Sequence, residues 1–321
     1  MSVLFVTDPL EGLKADIDAS VGLMAATQAM GADVWVCRPE ELAVVSGRVR
    51  ARAGRVLLAD RRRGTDHRWV VPADWWHEVE RRDLDVAADT DLVMLRIDPP
   101  VEARYLHTTY LLDLVETCGG RVANSPAGIR ALHEKLMALR FPDLCPETVV
   151  TADPRTVLDL VTRAGRAVVK PVDGFAGLDV WLLHDDAGAR SLAESATHGG
   201  RRHVVAQAYL ADVERGNKRL FVLDGDIVGA VLRQPGDDDF RIGPPVAAAE
   251  IDDDDRRIVA ALAPVLGSHG IALAGLDVIG GRLIEVNVTC PGGMHKTDAL
   301  LGTDLSGAVM RRLLLTDWVP T

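Results

Sequence analysis

Short runs of aliphatic and β-branched residues alternate along this chain with longer stretches in which apolar positions recur every three to four residues. The first run, Val3 to Thr7, reads as a strand. A polar loop comes next, then a helix from about Ser20 to Met30 and a second strand at Asp33 to Cys37. Strand, helix and strand at this spacing predict a parallel α/β unit. Another strand, Leu92 to Arg96, runs into Asp98-Pro99-Pro100, and a helix continues through Tyr105 to Cys118. Binding loops of such sheets sit at the carboxyl ends of strands, where Asp8, Arg96 and Asp98 all fall.

The pattern changes at Asn124-Ser125-Pro126. A helix is predicted over Ile129 to Arg140, carrying Lys135, and Pro142 and Pro146 keep it from extending further. Ala167-Val168-Val169-Lys170 reads as a short buried strand ending in a lysine. It leads into the turn Pro171-Val172-Asp173-Gly174-Phe175-Ala176-Gly177 and a strand at Asp179 to Leu183. A third segment opens with Val204 through Leu210 and continues as a hairpin, Lys218 to Arg233, turning at Asp224-Gly225-Asp226. A helix over Arg256 to Leu266 comes after it, and then a hairpin around Gly280-Gly281. The acidic run Asp252-Asp253-Asp254-Asp255 is expected as N-terminal helix charge facing water.

Composition narrows the function. A net charge of −11 over 321 residues argues against nucleic acid and anionic membrane as partners. Cys37, Cys118, Cys145 and Cys290 are scattered with no Cys-x-x-Cys, so they are expected as reduced thiols in the cytoplasm. No stretch approaches the ~20 apolar residues of a membrane span, and the N-terminal apolar run is too short for a signal peptide. The nine histidines show no metal-ligand spacing.

Candidate chemistry begins with the last hairpin. Alternation puts Glu285 and Asn287 on one face of the second strand, with Ile284, Val286 and Val288 on the other. A two-residue loop would pair Asp277 with Ile284. A three-residue loop, Gly280-Gly281-Arg282, pairs Asp277 with Glu285 instead. Asp277, Glu285 and Asn287 would then converge as hard oxygen donors for a cation such as Mg²⁺; a hairpin with an ordinary wet face reads equally well. Lys170 before a glycine turn suits a phosphate, as does a plain surface turn. Arg219, Arg233 and Arg241 suit carboxylate or phosphate oxygens, and taken singly each reads equally as a solvated surface residue. Gln207-Ala208-Tyr209-Leu210 leaves a strand where backbone groups could meet an adenine edge, though an ordinary apolar linker has the same pattern. Gly292-Gly293 could offer N–H groups to a carboxylate or form a plain turn, whereas Cys290 has no histidine placed to deprotonate it and reads as a small buried thiol. Phosphate-loop and dinucleotide fingerprints are absent.

The order of these pieces resembles the ATP-grasp ligases, and in detail the bacterial glutathione synthetase family. Thr7-Asp8-Pro9, Asp18-x-Ser20, Arg96-x-Asp98-Pro99-Pro100 and Asn124-x-Pro126 are similar to its N-terminal domain. Glu134-Lys135-Leu136, Pro146-Glu147-Thr148 and Lys170-Pro171-x-Asp173-Gly174 are similar to its lid. Asn217-Lys218-Arg219, Gly275-Leu276-Asp277 and Glu285-Val286-Asn287-Val288-Thr289 are similar to its catalytic domain. Three stretches depart from it: Phe175-Ala176 in the phosphate turn, residues 237–245 around Arg241, and Cys290-Pro291-Gly292-Gly293 with Met294-His295-Lys296. The family's Asp before Lys-Arg is Asn217 here.

The resemblance implies an α/β (α+β) ATP-grasp fold preceded by a Rossmann-like domain: residues 1–123, a lid at 124–200 and a catalytic part at 201–321. It implies an ATP-dependent carboxylate–amine ligase working through an acyl phosphate, with γ-glutamylcysteine and glycine as the named substrates and a cytoplasmic homo-oligomer as the setting. Lys135, Lys170, Gln207, Ala208, Tyr209, Leu210, Asn217 and Lys218 would contact ATP. Asp277, Glu285 and Asn287 would hold Mg²⁺ or Mn²⁺, and Arg219 and Arg233 would face the acyl phosphate. Asp18, Ser20, Arg96, Asp98, Arg241, Gly292 and Gly293 would contact substrate. The departures favour a relative joining other amino-acid-like substrates as the alternative. A non-catalytic nucleotide-binding protein on the same fold is the alternative of another class.

Overall fold

A computed structural model of the chain describes residues 1–174, 177–236, 241, 243 and 245–315. Phe175, Ala176 and residues 237–240, 242 and 244 of the two altered loops lie outside the described residues.

The first sheet is built on β1 (Ser2–Thr7), whose alternate sides feed two apolar cores. Helix α1 (Ala19–Ala29), capped by Asp18 accepting from Ser20 N, returns the chain to β2 (Asp33–Cys37), parallel to β1. Then come β3 (Leu42–Val45), β4 (Arg48–Leu58), a small hairpin of β5 (Arg62–Arg63) and β6 (Trp69–Val70), β7 (Trp76–Asp85) and α2 (Val86–Asp89). Strand β8 (Leu92–Arg96) pairs parallel with β1 on its other side and is followed by α3 (Ala103–Thr117) and β9 (Val122–Ala123). The order is β3-β4-β2-β1-β8-β9, with β7 also on β4. The carboxyl ends of β1 and β8 are adjacent, which brings Asp8, Arg96 and Asp98 together as expected.

The helix predicted over 129–140 does not form as one piece. α4 (Pro126–Ala131) stops, a turn carries Glu134 and Lys135, and a 3₁₀ turn spans Met137–Arg140. The backbone of Glu134 is taken by a tertiary partner, its carbonyl accepting from Val286 N at 3.0 Å.

The second sheet holds β10 (Thr148–Thr151), β11 (Arg166–Pro171), β12 (Trp181–His184) and β13 (Val204–Ala208) in the order β10-β13-β11-β12. Helix α5 (Pro154–Ala164) covers it through Val157, Leu160 and Val161, a one-sided stripe, and α6 (Ala189–Ala196) packs beside it. Asp179 has φ 53 and stays outside β12, so that strand starts later than predicted. Because β13 is hydrogen-bonded between β10 and β11, a boundary at 200/201 cuts through this sheet.

The third sheet is antiparallel: β14 (Asn217–Leu223), β15 (Asp226–Arg233), β16 (Pro245–Ala248), β17 (Leu273–Ile279) and β18 (Arg282–Asn287), ordered β16-β15-β14-β17-β18. The β14–β15 turn is Asp224-Gly225, both at positive φ (49 and 83), as a tight hairpin requires. Helix α7 (Asp253–Ser268) starts in a capping box of Asp252 and Asp255, and Ile258, Leu262 and Leu266 seal it onto the core. Helices α8 (Met294–Leu301) and α9 (Leu305–Leu315) fold back against α1. Asn124 ties the first sheet to the third, donating to Leu273 O and Val288 O at 2.7 and 2.8 Å. No helix of the described residues is long and apolar enough to cross a membrane.

Candidate active site

One cavity of about 1060 Å³ opens between the second and third sheets and reaches the carboxyl ends of β1 and β8. The third sheet supplies its charged floor through cross-strand register. Arg219 lies opposite Asp277 across β14 and β17, and Asp277 lies opposite Glu285 across β17 and β18, so the three share a face.

The Asp277–Glu285 pairing is the one predicted, but the turn is not. Ile279 pairs with Arg282 across a two-residue Gly280-Gly281 turn with φ of 55 and 71, and the register shifts further along, between Asp277 and Val278. The extra residue is therefore a bulge in β18 rather than a third loop residue. It also turns Ile284 to the cavity beside Glu285, while Leu283, Val286 and Val288 enter the core.

Asp277 is buried. Arg219 donates from Nε and Nη2 at 2.6 and 3.2 Å, and Arg233 from Nη2 at 2.5 Å. Burial opposes its ionisation, but the two guanidinium charges and their hydrogen bonds outweigh it and hold the carboxyl well below the usual range. Glu285 has different neighbours. Its oxygens lie 3.6 Å from Lys135 Nζ and 4.0 Å from Lys170 Nζ, and it accepts no hydrogen bond among the described residues. Lys170 ends β11 in a buried position, so desolvation pushes its ammonium down, against Glu285's attraction and with Lys135's repulsion. Lys135 is buried too and donates to Gly174 O. The ion pairs thus join four cations to two carboxylates, and Glu134 is a third carboxylate near Lys135 and Arg219.

The strand leaving β13 lines the cavity through Gln207, Ala208, Tyr209 and Leu210. Ala208 N and Tyr209 N are committed to the carbonyls of Glu147 and Arg166, whose guanidinium stacks 4.2 Å over the Tyr209 ring. Leu210 N–H makes no hydrogen bond among the described residues, which leaves it as this segment's open donor. Asp18, Arg96, Asp98, Arg241, Gly292, Gly293 and Asn287 also line the cavity; Asn287 donates to Gly275 O at 3.0 Å, leaving its own oxygen as acceptor.

Three expected contacts lie elsewhere. Lys218 faces away from Arg219 by strand alternation and is ion-paired to Asp255 and Asp252 at 2.5 and 2.8 Å. Asp255 is accordingly buried, so the acidic run does not wholly face water. Asn217 is buried beneath Arg233, accepting from it, and its Nδ2 finds no partner among the described residues, a donor that an aspartate here would not carry. Ser20 is a hydrogen-bond partner of Arg96 Nε at 3.2 Å, behind the wall.

Two further residues of the cavity went unassigned in the sequence. Glu134 accepts from Val288 N, Thr289 N and Thr289 Oγ1 at 3.1, 3.1 and 2.7 Å, locking the Lys135 turn onto the end of β18. Its adjacency to Lys135 was the available signal. Lys296 also lines the cavity, and nothing local marks it.

The donor set suits a divalent cation: Glu285 offers oxygens that accept no hydrogen bond among the described residues, Asn287 an amide oxygen and Asp277 a second carboxylate. Among the described residues no group of three or more His, Cys, Asp or Glu side chains could hold a metal, so such a site depends on Asn287.

The whole fold is similar to solved ATP-grasp ligases. PsnB complexed with minimal precursor superposes with a TM-score of 0.65 at 18% identity, covering 98% of each chain. The D-cycloserine synthetase DcsG gives a TM-score of 0.62 at 21% identity, covering 98% of this chain and 100% of its own. Two sheets gripping a cavity with a buried lysine from each side, on that fold, define an ATP-grasp ligase. Such ligases use ATP and a divalent metal; one PsnB structure is a complex with minimal precursor, Mg and ADP.

Residues 1–130 match "Prokaryotic glutathione synthetase, N-terminal domain" and residues 134–302 its "ATP-grasp domain". The glutathione synthetase of Thermosynechococcus vestitus is 41% identical over 317 residues, 97% of this chain and 98% of its own. That of Bordetella parapertussis is 35% identical over 297 residues, 91% and 92% of the two chains. The chain belongs to the prokaryotic glutathione synthetase family and is an ATP-dependent ligase that forms C–N bonds.

Proposed function

We propose that the chain joins γ-glutamylcysteine to glycine in the cytoplasm, using ATP and Mg²⁺, with Mn²⁺ as substitute. The observation that carries the ATP reading is the excess of cations over carboxylates in the buried network of Lys135, Lys170, Arg219 and Arg233. Desolvated cations in excess call for a polyanion, and a triphosphate offsets the burial that disfavours the Lys170 ammonium.

Lys135 and Lys170 bind phosphate oxygens, and Leu210 N–H meets the adenine edge above Gln207 to Tyr209. Asp277, Glu285 and Asn287 hold the metal, which when bound neutralises phosphate charge. The substrate carboxylate takes the terminal phosphoryl group, and the amine then displaces phosphate to form the amide. Arg219 and Arg233 stabilise the charge that develops on the acyl phosphate, and closure of the second sheet over the cavity would exclude water that hydrolyses it. A lid made of the second sheet and a homo-oligomeric assembly complete the proposal.

A second reading, ligation of a different amino-acid-like pair, is favoured by the wall at 290–296, where Cys290, Gly292, Gly293 and Lys296 line the cavity. The test is substrate-dependent ADP release over γ-glutamylcysteine, glycine and a panel of amino acids and dipeptides. Release only with γ-glutamylcysteine plus glycine is expected. Release only with another pair removes the glutathione assignment and leaves the ligase.

A further inference from the structure

Lys296 is half-buried in the cavity wall, and its ammonium makes no ion pair or hydrogen bond among the described residues. It stands in the first turn of α8, which holds no acidic residue and whose N-cap, Gly293, has no side chain to offer. A cation there faces the positive end of the helix dipole, so the position opposes the charge it carries.

The backbone under Lys296 is firmly anchored. His295 is fully buried, and its ring stacks on Trp69 with centroids 5.2 Å apart. Its Nε2 meets Ala15 O at 3.1 Å, and Trp69 Nε1 donates to His295 O at 2.8 Å. Gly22 lets α1 come this close, since a Cβ there would lie 2.9 Å from His295 Nδ1. Gly292 O accepts from Arg219 Nη1 at 3.3 Å, so the start of this segment adjoins the proposed phosphoryl-transfer site. Lys296 follows four residues later, in the first turn of α8.

The surrounding wall carries both signs. Arg96 is held by Ser20 Oγ and Pro291 O, while Asp8, Asp18 and Asp98 line the same cavity. Both signs together fit the head group of an α-amino acid. We propose that Lys296 is a specificity-determining residue that binds a non-reacting carboxylate of one of the two substrates. An unpaired, rigidly mounted cation in an unfavourable potential is accounted for by a ligand anion that completes it. The assignment rests on the ligase reading above and does not depend on glutathione as the product.

The test is steady-state ADP release by wild type, K296M and K296R with γ-glutamylcysteine and glycine. Each arm is repeated with glycinamide, and with γ-glutamylcysteine amidated at the glutamyl α-carboxylate. K296M should raise KM for one carboxylate substrate about tenfold or more, leave KM for ATP unchanged, and keep the wild-type unfolding midpoint. The effect should vanish on the matching amide and be largely restored in K296R. Unchanged KM values, or equal effects on acid and amide, overturn the assignment. If wild type is active only with another carboxylate–amine pair, the glutathione reading falls and Lys296 is judged on that pair by the same comparison. If no pair releases ADP, the ligase reading and this assignment fall together.

Discussion

Asp277→Asn and Glu285→Gln separate two carboxylates that face each other yet sit in different electrostatic settings. Asp277 is buried with guanidinium nitrogens at 2.5 and 2.6 Å. At an effective dielectric near 20, each contact has a gross Coulomb energy of about 6 kcal/mol, most of it offset by the desolvation of three ions. Removing the charge leaves two buried guanidiniums facing a neutral amide, which costs about 3–5 kcal/mol of stability. Among the described residues Glu285 has no hydrogen bond to lose, and its nearest cations are at 3.6 and 4.0 Å. These ion pairs are longer and carry no hydrogen bond, so Glu285→Gln should cost only about 1 kcal/mol. Urea unfolding followed by tryptophan fluorescence measures both, and ADP release should be lost in both. A stability for Asp277→Asn within about 1 kcal/mol of wild type would refute the buried Arg219–Asp277–Arg233 cluster.

Lys170→Met removes a desolvated cation without changing volume much; KM for ATP should rise about tenfold or more with stability unchanged or slightly higher, and an unchanged KM contradicts the phosphate role. Burial, opposed by Arg96 and reinforced by Asp98, keeps the Cys290 thiol protonated. Cys290→Ser should therefore retain turnover within about threefold, and loss of turnover would reinstate a nucleophile. Burial and then the charge of Arg61 push His295 from 6.5 down to about 4. The unfolded chain takes up a proton in that window and the native one does not, so stability falls as pH drops from 6.5 to 4, by about 3 kcal/mol. His295→Gln should lack that part of the slope in urea titrations at pH 7 and pH 4.5; identical slopes would contradict the buried neutral imidazole.

Much of this was legible because it is local. The strand–helix–strand start and both hairpins come from short-range pattern and turn chemistry, and the face shared by Asp277 and Glu285 comes from parity. Parity alone could not say where the extra residue goes. Gly280 and Gly281 both accept positive φ, so the turn closes in two residues and the bulge moves into β18. The failures are tertiary. The 129–140 helix yields to the bonds of Glu134 with β18, and Lys218 is drawn from the cavity by Asp255, 37 residues away. Strand β4 does alternate, buried and exposed, whereas most of β7 is exposed on both faces and offers no period to read. Lys296 was illegible for the opposite reason: it has no protein partner to pair with among the described residues.

The central claim is that a substrate carboxylate becomes an acyl phosphate in this cavity. Substrate labelled with ¹⁸O in both oxygens of the reacting carboxylate, incubated with ATP, Mg²⁺ and the amine, tests it through the mass of the released phosphate. The account predicts one ¹⁸O transferred to each phosphate, with the other retained in the amide. Phosphate free of label, alongside amide formation, would contradict it.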